Sequence, residues 1–242
     1  DSWIFGSHHK TGTELMQSVA SVQARELNQS TCFSYGKYGW GPRGCEEHQM
    51  DYNTWFHYNL TVGRAQGGFG IKERELEYRT VHIIRDPLAM VVSGYIFHSK
   101  SDDTPWELKK ERNQSVIDGL TTEANYVLQK TGHEMMHTFS ATRGDPRVLN
   151  VRFEDFTRSS PSFDATARKL YDFTVGGILE DYSKDMGTML EKISHQDLLR
   201  FPKKKSKHVA KRTDEARVKT ALMSIPANLR ADLELMRTQL GY

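Results

Sequence analysis

Short apolar runs alternate with longer amphipathic stretches along this chain. Three runs predict buried strands, at residues 2–6, 79–84 and 147–153. Between and after them, apolar residues recur three or four positions apart, which is the spacing of one helix face. This spacing predicts helices at 13–26, 87–98, 104–143, 162–173, 178–199 and 214–240, the last broken near Pro226. Strands that alternate with helices predict an α/β fold, in which a mainly parallel sheet is flanked by helices on both faces.

Residues 28–70 depart from this alternation because they are rich in glycine and aromatic residues. We interpret them as a long irregular region with room for one helix near residues 50–60. Long connections of this kind are usually functional or disordered. The density of aromatic side chains favours an ordered loop beside a pocket.

The composition is that of a globular protein, with 37% hydrophobic and 26% charged residues among 242. This length fits a single α/β domain over residues 1–242. The net charge of +2 gives no argument for a nucleic-acid or membrane partner. No apolar run reaches the roughly 18–20 residues of a membrane span. The chain starts abruptly at a core strand, which is compatible with a removed leader or anchor.

The cellular compartment and the oligomeric state stay open at this point. Two cysteines, Cys32 and Cys45, are too few to indicate a disulfide framework, so they leave the compartment ambiguous. Three glycosylation sequons, at Asn28, Asn59 and Asn113, hint weakly at a lumen such as the Golgi. Chance matches in a cytoplasmic protein explain the sequons at least as well.

The stretch GSHHKTGTE, residues 6–14, joins the first predicted strand to the first predicted helix. A helix N-terminus offers unpaired backbone N–H groups and a partial positive charge. Lys10 adds a full charge, Gly12 permits close approach of the backbone, and the Thr11 and Thr13 hydroxyls add donors. The stretch therefore predicts a site for a phosphate-like anion. Lys10 precedes the glycine, unlike the lysine of a Walker A loop. A simple helix cap by Thr11 or Thr13 is the alternative.

A second informative stretch is VHIIRDPLAMVVSGYIFH, residues 81–98. Arg85 ends a predicted strand, and Ser93 lies two turns into the following helix. Both side chains can converge on one phosphate, the arginine through its planar fork. Asp86 could instead hold Mg²⁺ as in a nucleotide hydrolase. Asp86 could also start a turn before Pro87 and form only a surface pair with Arg85.

Together the two stretches resemble the sulfotransferases that use 3′-phosphoadenosine 5′-phosphosulfate (PAPS). Lys10-Thr11-Gly12-Thr13 is similar to that family's K-[ST]-G-T loop, which binds the 5′-phosphosulfate. Arg85-Asp86-Pro87, with Ser93 and Tyr95, is similar to its R-[DN]-P-x5-S-x-Y motif, which binds the 3′-phosphate. The resemblance implies a P-loop-like sheet. Softer matches are VRFEDF at 151–156 and LGY at 240–242.

The resemblance implies metal-independent, in-line transfer of a sulfuryl group from PAPS to a hydroxyl or amine. It assigns Lys10 to the oxygen that leaves with the nucleotide, where negative charge grows. No metal ligands are expected. The positions that it implies for nucleotide binding are His9, Lys10, Thr11, Gly12, Thr13, Glu14, Arg85, Ser93, Lys211 and Arg212.

The acceptor must lose a proton, so a general base is expected. The family takes a histidine or glutamate from the segment between the two motifs. His57 is the first choice here, although a histidine among aromatic residues is often simply packed. Glu73, Glu75 and His98 are the other candidates.

Residues 200–213 contain a basic run. By resemblance they form a loop that caps the nucleotide, with Lys211 and Arg212 nearest the 3′-phosphate. The run could instead be a solvated mobile loop. Lys203 to Lys205 could also meet an anionic acceptor; a small molecule and a glycan both remain open as acceptors.

The residues themselves are also compatible with two other functions. A P-loop-like kinase or hydrolase would use ATP and Mg²⁺, which the order of Lys10 and Gly12 disfavours. A binding module that grips a polyanion through the basic run would leave the spacing from Arg85 to Ser93 unexplained.

Overall fold

The computed structural model describes residues 2–34, 53–67, 77–101, 104–180, 185–202 and 212–242. Contacts within the chain divide it into two compact units. The sheet unit comprises Asp1–Ile84 and His137–Pro202, and the helical unit comprises Arg85–Met136 and Lys203–Tyr242.

In the part of the chain that the structure describes, five parallel strands form a sheet in the order β2-β3-β1-β4-β5. Their bounds are Ser2–Ser7 (β1), Thr31–Ser34 (β2), Thr54–Tyr58 (β3), Tyr78–Ile84 (β4) and Val148–Arg152 (β5). In the register, Phe5 of β1 lies between Phe56 of β3 and Val81 of β4. Since all strands run the same way, the carboxyl ends of β1, β3, β4 and β5 meet at one edge of the sheet.

Two of these strands correct the sequence prediction for residues 28–70. Residues 54–58 form β3 instead of a helix near 50–60, and residues 31–34 form β2. Strand β3 reads TWFHY, and its first four residues are buried. A strand covered on both faces lacks the alternation that reveals an exposed one, so its pattern is easily mistaken.

Helices cover both faces of the sheet within the sheet unit. They are α1 (Thr13–Glu26), α2 (Val62–Ala65), α6 (Phe153–Thr157), α7 (Ser160–Val175) and α8 (Met186–Ser194). On one face, Trp3 and Phe5 pack in a core with residues of α1, α7 and α8. On the other face, Ile4 and Trp55 pack with Ala65 of α2. The predicted α/β fold with a parallel sheet is confirmed.

Helices also make up the described part of the helical unit. They are α3 (Pro87–His98), a 3₁₀ helix (Trp106–Asn113), α4 (Val116–Tyr126), a π-helical turn (Val127–Thr131), the start of α5 (Gly132–Thr142), α9 (Arg212–Leu222) and α10 (Ala227–Gln239). Helix α3 packs against α4, α9 and α10. The predicted break near Pro226 is confirmed, because Pro226 is the N-cap residue of α10.

Two further observations bear on the class of protein. Among the described helices, none has both the length and the apolar character that crossing a bilayer demands. Cys32, buried in β2, is disulfide-bonded. The other cysteine, Cys45, lies outside the described residues, as do the positions 35–52 around it.

Candidate active site

The loop between β1 and α1 holds two residues in the left-handed backbone region. Lys10 has φ 64°, and Gly12 has φ 107° and ψ 37°. Gly12 is the N-cap residue of α1, so the N-cap position has no side chain with which to cap this helix end. The helix-cap alternative for Thr11 and Thr13 is therefore not what the structure adopts. The first N–H groups of α1 have no acceptor within the helix, which is the geometry of an anion site.

Two threonine hydroxyls hold the loop in this shape. The carbonyl oxygen of His8 accepts from the Thr11 N–H at 3.1 Å, from the Thr11 hydroxyl at 3.0 Å and from the Thr13 hydroxyl at 3.2 Å. The Thr11 hydroxyl also accepts from the His8 N–H at 2.8 Å. Thr11 is fully buried. Its hydroxyl therefore stabilises the loop through hydrogen bonds with His8. From the sequence we expected this hydroxyl to donate a hydrogen bond to the bound anion.

A chain of hydrogen bonds links Asn150 of β5 and His82 of β4 to His8, the residue that directly follows β1. His82 Nδ1 lies 2.7 Å from Asn150 Oδ1, and His82 Nε2 lies 3.0 Å from His8 Nε2. Because Asn150 Oδ1 accepts, His82 carries its proton on Nδ1, and His8 donates from Nε2. Burial lowers the pKa of His82 to about 4. Burial, and then His82, lower the pKa of His8 well below 6.5. Both rings are therefore neutral at pH 7.

Gly12 is required by its surroundings as well as by its backbone angles. A Cβ atom at this position would lie 2.5 Å from Cδ2 of Phe153 and 3.2 Å from Cδ1 of Ile83. Phe153 begins α6 and belongs to the VRFEDF stretch. The VRFEDF stretch, which the sequence resemblance matched less closely, thus supplies the ring against which the K-T-G-T loop packs.

The remaining loop positions are more open. His9 and Lys10 are half-buried, and Glu14 is exposed in the first turn of α1. His9 Nδ1 lies 2.7 Å from the hydroxyl of Tyr58, the last residue of β3. Tyr58 therefore fixes the orientation of the His9 ring.

His57 lies within β3 and is fully buried. Its ring stacks on Trp55, with centroids 6.1 Å apart and planes 12° apart. Burial, and then the charge of Arg64, lower the pKa of His57 to about 3. A ring that is enclosed and this weakly basic is poorly suited to take a proton from an acceptor.

In the helical unit, Arg85 and Ser93 are half-buried. Arg85 comes directly after β4, and Ser93 lies on α3 as predicted. Asp86 is the N-cap residue of α3: its Oδ1 accepts from the Leu88 N–H at 2.9 Å. Its Oδ2 accepts from Arg237 Nε at 3.1 Å. Both carboxylate oxygens of Asp86 are thus engaged within the protein, which disfavours the Mg²⁺ role considered for it.

Several predicted residues cannot be placed. Lys211, Glu73, Glu75 and Lys203 to Lys205 lie outside the described residues. Arg212 begins α9, and only its backbone is described. Their predicted roles stay predictions.

Comparison with known proteins now adds to this geometry. No family model matches the sequence, and no curated protein does. Among solved structures, mouse sulfotransferase SULT7A1 complexed with PAP matches with a TM-score of 0.55 and 12% identity, covering 97% of this chain and 82% of that one. Retinol dehydratase in complex with androsterone and the inactive cofactor PAP matches with a TM-score of 0.52 and 13% identity, covering 98% and 80%. The fold is that of a sulfotransferase.

Within this sulfotransferase fold, the sequence analysis did not predict four residues of the site: Tyr58, His82, Asn150 and Phe153. Each lies in or directly after a strand and contacts the loop or the histidine chain beneath it. A histidine inside the apolar run VHII was a usable signal, because an unpartnered imidazole is costly to bury. The partners of His82 depend on strand order, which the sequence does not state.

Proposed function

We propose that this protein transfers a sulfuryl group from PAPS to a hydroxyl or amine acceptor. The observation that carries the proposal is the N-terminus of α1, which begins after the left-handed residues Lys10 and Gly12. It stands at the loop that the sulfotransferase resemblance assigns to the 5′-phosphosulfate. Gly12 has a left-handed backbone conformation, and the Phe153 ring occupies the space that a Cβ atom would need there. Both features fit a loop whose backbone N–H groups lie close to a bound anion.

PAPS, when bound, supplies the sulfuryl group; the acceptor oxygen or nitrogen forms the new bond to sulfur as the bond to the 5′-phosphate oxygen breaks. The Lys10 ammonium group would stabilise the negative charge that grows on that leaving oxygen. The N–H groups of Thr13 and Glu14, at the start of α1, would hold the phosphate oxygens. The chain of His8, His82 and Asn150 would keep the loop in place while remaining uncharged.

The 3′-phosphate is assigned to the second motif. Arg85 would bind it through two guanidinium N–H groups, and Ser93 would donate its hydroxyl. Lys211 and Arg212 would add charge at the end of the basic run, where Arg212 begins α9. Support for Arg85 and Ser93 comes from their position after β4 and on α3, at the spacing of the family motif.

The proton of the acceptor requires a base within hydrogen-bond reach. His57 was the choice from sequence, but it is enclosed, with a pKa of about 3. We place His9 ahead of it. The His9 ring is half-buried, adjoins Lys10 in the chain and is oriented by Tyr58. A neutral His9 whose Nδ1 accepts from the Tyr58 hydroxyl presents its Nε2 as an N–H donor. In the opposite tautomer His9 Nδ1 donates to Tyr58, and Nε2 is then the unprotonated nitrogen that can take the proton.

The acceptor belongs, in this proposal, to the class of small molecules or glycans that bear a hydroxyl or amine. Androsterone in the retinol dehydratase complex is a small molecule of that kind. The aromatic-rich region 28–70 would bind it by stacking on rings or sugar faces. A kinase that uses ATP and Mg²⁺ is less well supported, because Asp86 caps α3 and pairs with Arg237.

Thermal shift tests the proposal on the purified chain. Adenosine 3′,5′-bisphosphate (PAP) at about 100 times its Kd should raise Tm by roughly 5–10 °C without any divalent cation. ATP with Mg²⁺ and heparin serve as comparisons. Stabilisation by ATP only when Mg²⁺ is present would favour the kinase, and stabilisation by heparin alone would favour a polyanion-binding module. A screen of acceptors with labelled PAPS then identifies the second substrate.

A further inference from the structure

Three buried side chains converge in the helical unit, apart from the residues assigned to the nucleotide. His98 is the last residue of α3, Glu111 lies on the 3₁₀ helix and Glu123 lies on α4. His98 and Glu123 are 0% exposed, and Glu111 is 1% exposed. One potential ligand atom of each residue lies within 4.8 Å of the other two. Three segments of the helical unit therefore meet at a single polar point.

The carboxylate of Glu111 is the unusual member of this cluster. Both of its oxygens are buried, and neither has a hydrogen-bond donor among the described residues other than a protonated Glu123. Its neighbour Glu123 is another carboxylate, and Glu123 Oε2 already lies 2.8 Å from His98 Nδ1. Two adjacent buried carboxylates are costly unless a cation or a proton compensates them.

The backbone makes room for this arrangement. A Cβ atom on Gly94 of α3 would overlap Oε1 of Glu123, and it would also crowd the rest of that carboxyl group. Only a glycine at position 94 lets the carboxylate of Glu123 reach the cluster from α4. A carboxylate thus occupies the space between α3 and α4, where an apolar side chain is usual.

We propose that His98, Glu111 and Glu123 bind one divalent transition-metal ion, represented here by Zn²⁺. An imidazole with two carboxylates suits Zn²⁺, whereas Mg²⁺ and Ca²⁺ prefer oxygen ligands alone. Ligands at about 2.0–2.2 Å from a tetrahedral Zn²⁺ lie about 3.4 Å from one another. The ligand atoms here lie within 4.8 Å of one another, so side-chain rotations that shorten the longest separation by up to about 1.4 Å would complete the site.

The ion would have a structural role. His98 ends the 12-residue helix α3, whereas Arg85 precedes its first residue. The two ends of such a helix are about 18 Å apart, so the ion would take no part in chemistry near Arg85. It would tie α3 to the 3₁₀ helix and to α4, and so hold the helix that carries Ser93. Because the ligands must be deprotonated and enclosed, binding would couple to folding.

Metal content and stability of the purified full chain test this proposal without any nucleotide or acceptor. We expect about one Zn²⁺ per chain by elemental analysis after dialysis against Zn²⁺ and then buffer. A chelator should lower Tm by about 5 °C or more, and Zn²⁺ should restore it while Mg²⁺ does not. X-ray absorption should show one imidazole and oxygen ligands around the zinc. A zinc content near zero, or sulfur or several imidazoles around it, would overturn the proposal.

A matched pair of variants locates the ion. Glu111→Gln keeps the shape of the side chain and should abolish both the bound zinc and its effect on Tm. Glu107→Gln, one turn earlier on the same 3₁₀ helix, should leave both unchanged. If Glu111 instead shares a proton with Glu123, Glu111→Gln should be as stable as the parent protein. Zinc should then change the Tm of neither protein. That result, or zinc retained by Glu111→Gln, would refute the site.

Discussion

The ring of Phe153 occupies the position that a side chain at Gly12 would need, since its Cδ2 would lie 2.5 Å from an added Cβ atom. This contact joins the K-T-G-T loop to the VRFEDF stretch, about 140 residues further along the chain. It also fixes the left-handed turn that uncovers the N-terminus of α1.

Gly12→Ala should therefore destabilise the protein by about 2–4 kcal/mol, from the backbone angle and from overpacking against Phe153. Urea unfolding gives the free energy of unfolding for this comparison. Gly63→Ala is the matched control, because an added Cβ at Gly63 in α2 meets nothing within 4 Å. Gly63→Ala should leave the free energy of unfolding unchanged or raise it slightly. Equal effects of the two substitutions would mean that Phe153 adapts freely.

Lys10→Ala should lower kcat about 100-fold or more, because one preorganised charge at the leaving oxygen is lost. PAP binding, measured by calorimetry, should persist with weaker affinity, since the α1 backbone N–H groups remain. Turnover is followed as PAP formation with an acceptor found by screening. Lys169→Ala, at an exposed position of α7, is the control. Normal turnover by Lys10→Ala would remove this lysine from the mechanism.

Arg85→Ala should weaken PAP binding about 10- to 100-fold, through loss of charge-assisted hydrogen bonds. Adenosine 5′-monophosphate lacks the 3′-phosphate, so parent and variant should bind it equally. Arg217→Ala, exposed on α9 of the same unit, should change neither affinity. If Arg85→Ala weakened both nucleotides alike, the contact would not be with the 3′-phosphate.

The two candidate bases can be separated by a pair of substitutions. His9→Gln should lower kcat by about 100-fold or more, which is the usual contribution of a general base. His57→Phe keeps a buried ring beside Trp55 and should change kcat by less than about threefold. Stopped turnover in His57→Phe, together with a folded protein by circular dichroism, would restore His57 as the base.

Stability should fall as the pH drops from about 6.5 towards 4. His8, His57 and His82 have lowered pKa values in the folded state, so the unfolded chain binds more protons in this window. Their stabilising effect is complete above the unfolded pKa of about 6.5 and is lost below it. Each histidine that stays neutral contributes about 1.4 kcal/mol per pH unit, so the total change across this window should be on the order of 10 kcal/mol.

His82→Gln should flatten this dependence by about one proton, measured by urea unfolding between about pH 7.5 and 4.5. His133→Gln, at an exposed position of α5, should leave the slope as it is in the parent. An unchanged slope in His82→Gln would show that His82 gains its proton in the folded protein as readily as in the unfolded chain.

The sequence alone determined the elements whose pattern is local. The helix at 13–26 and the strand at 79–84 were predicted within a residue or two, because their apolar spacing repeats over several turns or pairs. Lys10, Gly12 and Arg85 were singled out because each stands where a strand ends. Strand β3 was missed, since a strand buried on both faces shows no alternation.

Only the tertiary structure decided which of these residues meet. Strand order placed His82 between His8 and Asn150, and it enclosed His57 until its pKa fell to about 3. Helix packing brought Glu111 beside Glu123 and His98, from three separate segments. Local sequence encodes backbone conformation through short-range sterics and hydrogen bonding. Burial and partnership depend on contacts between distant segments, and those contacts set the charge and reactivity of each side chain.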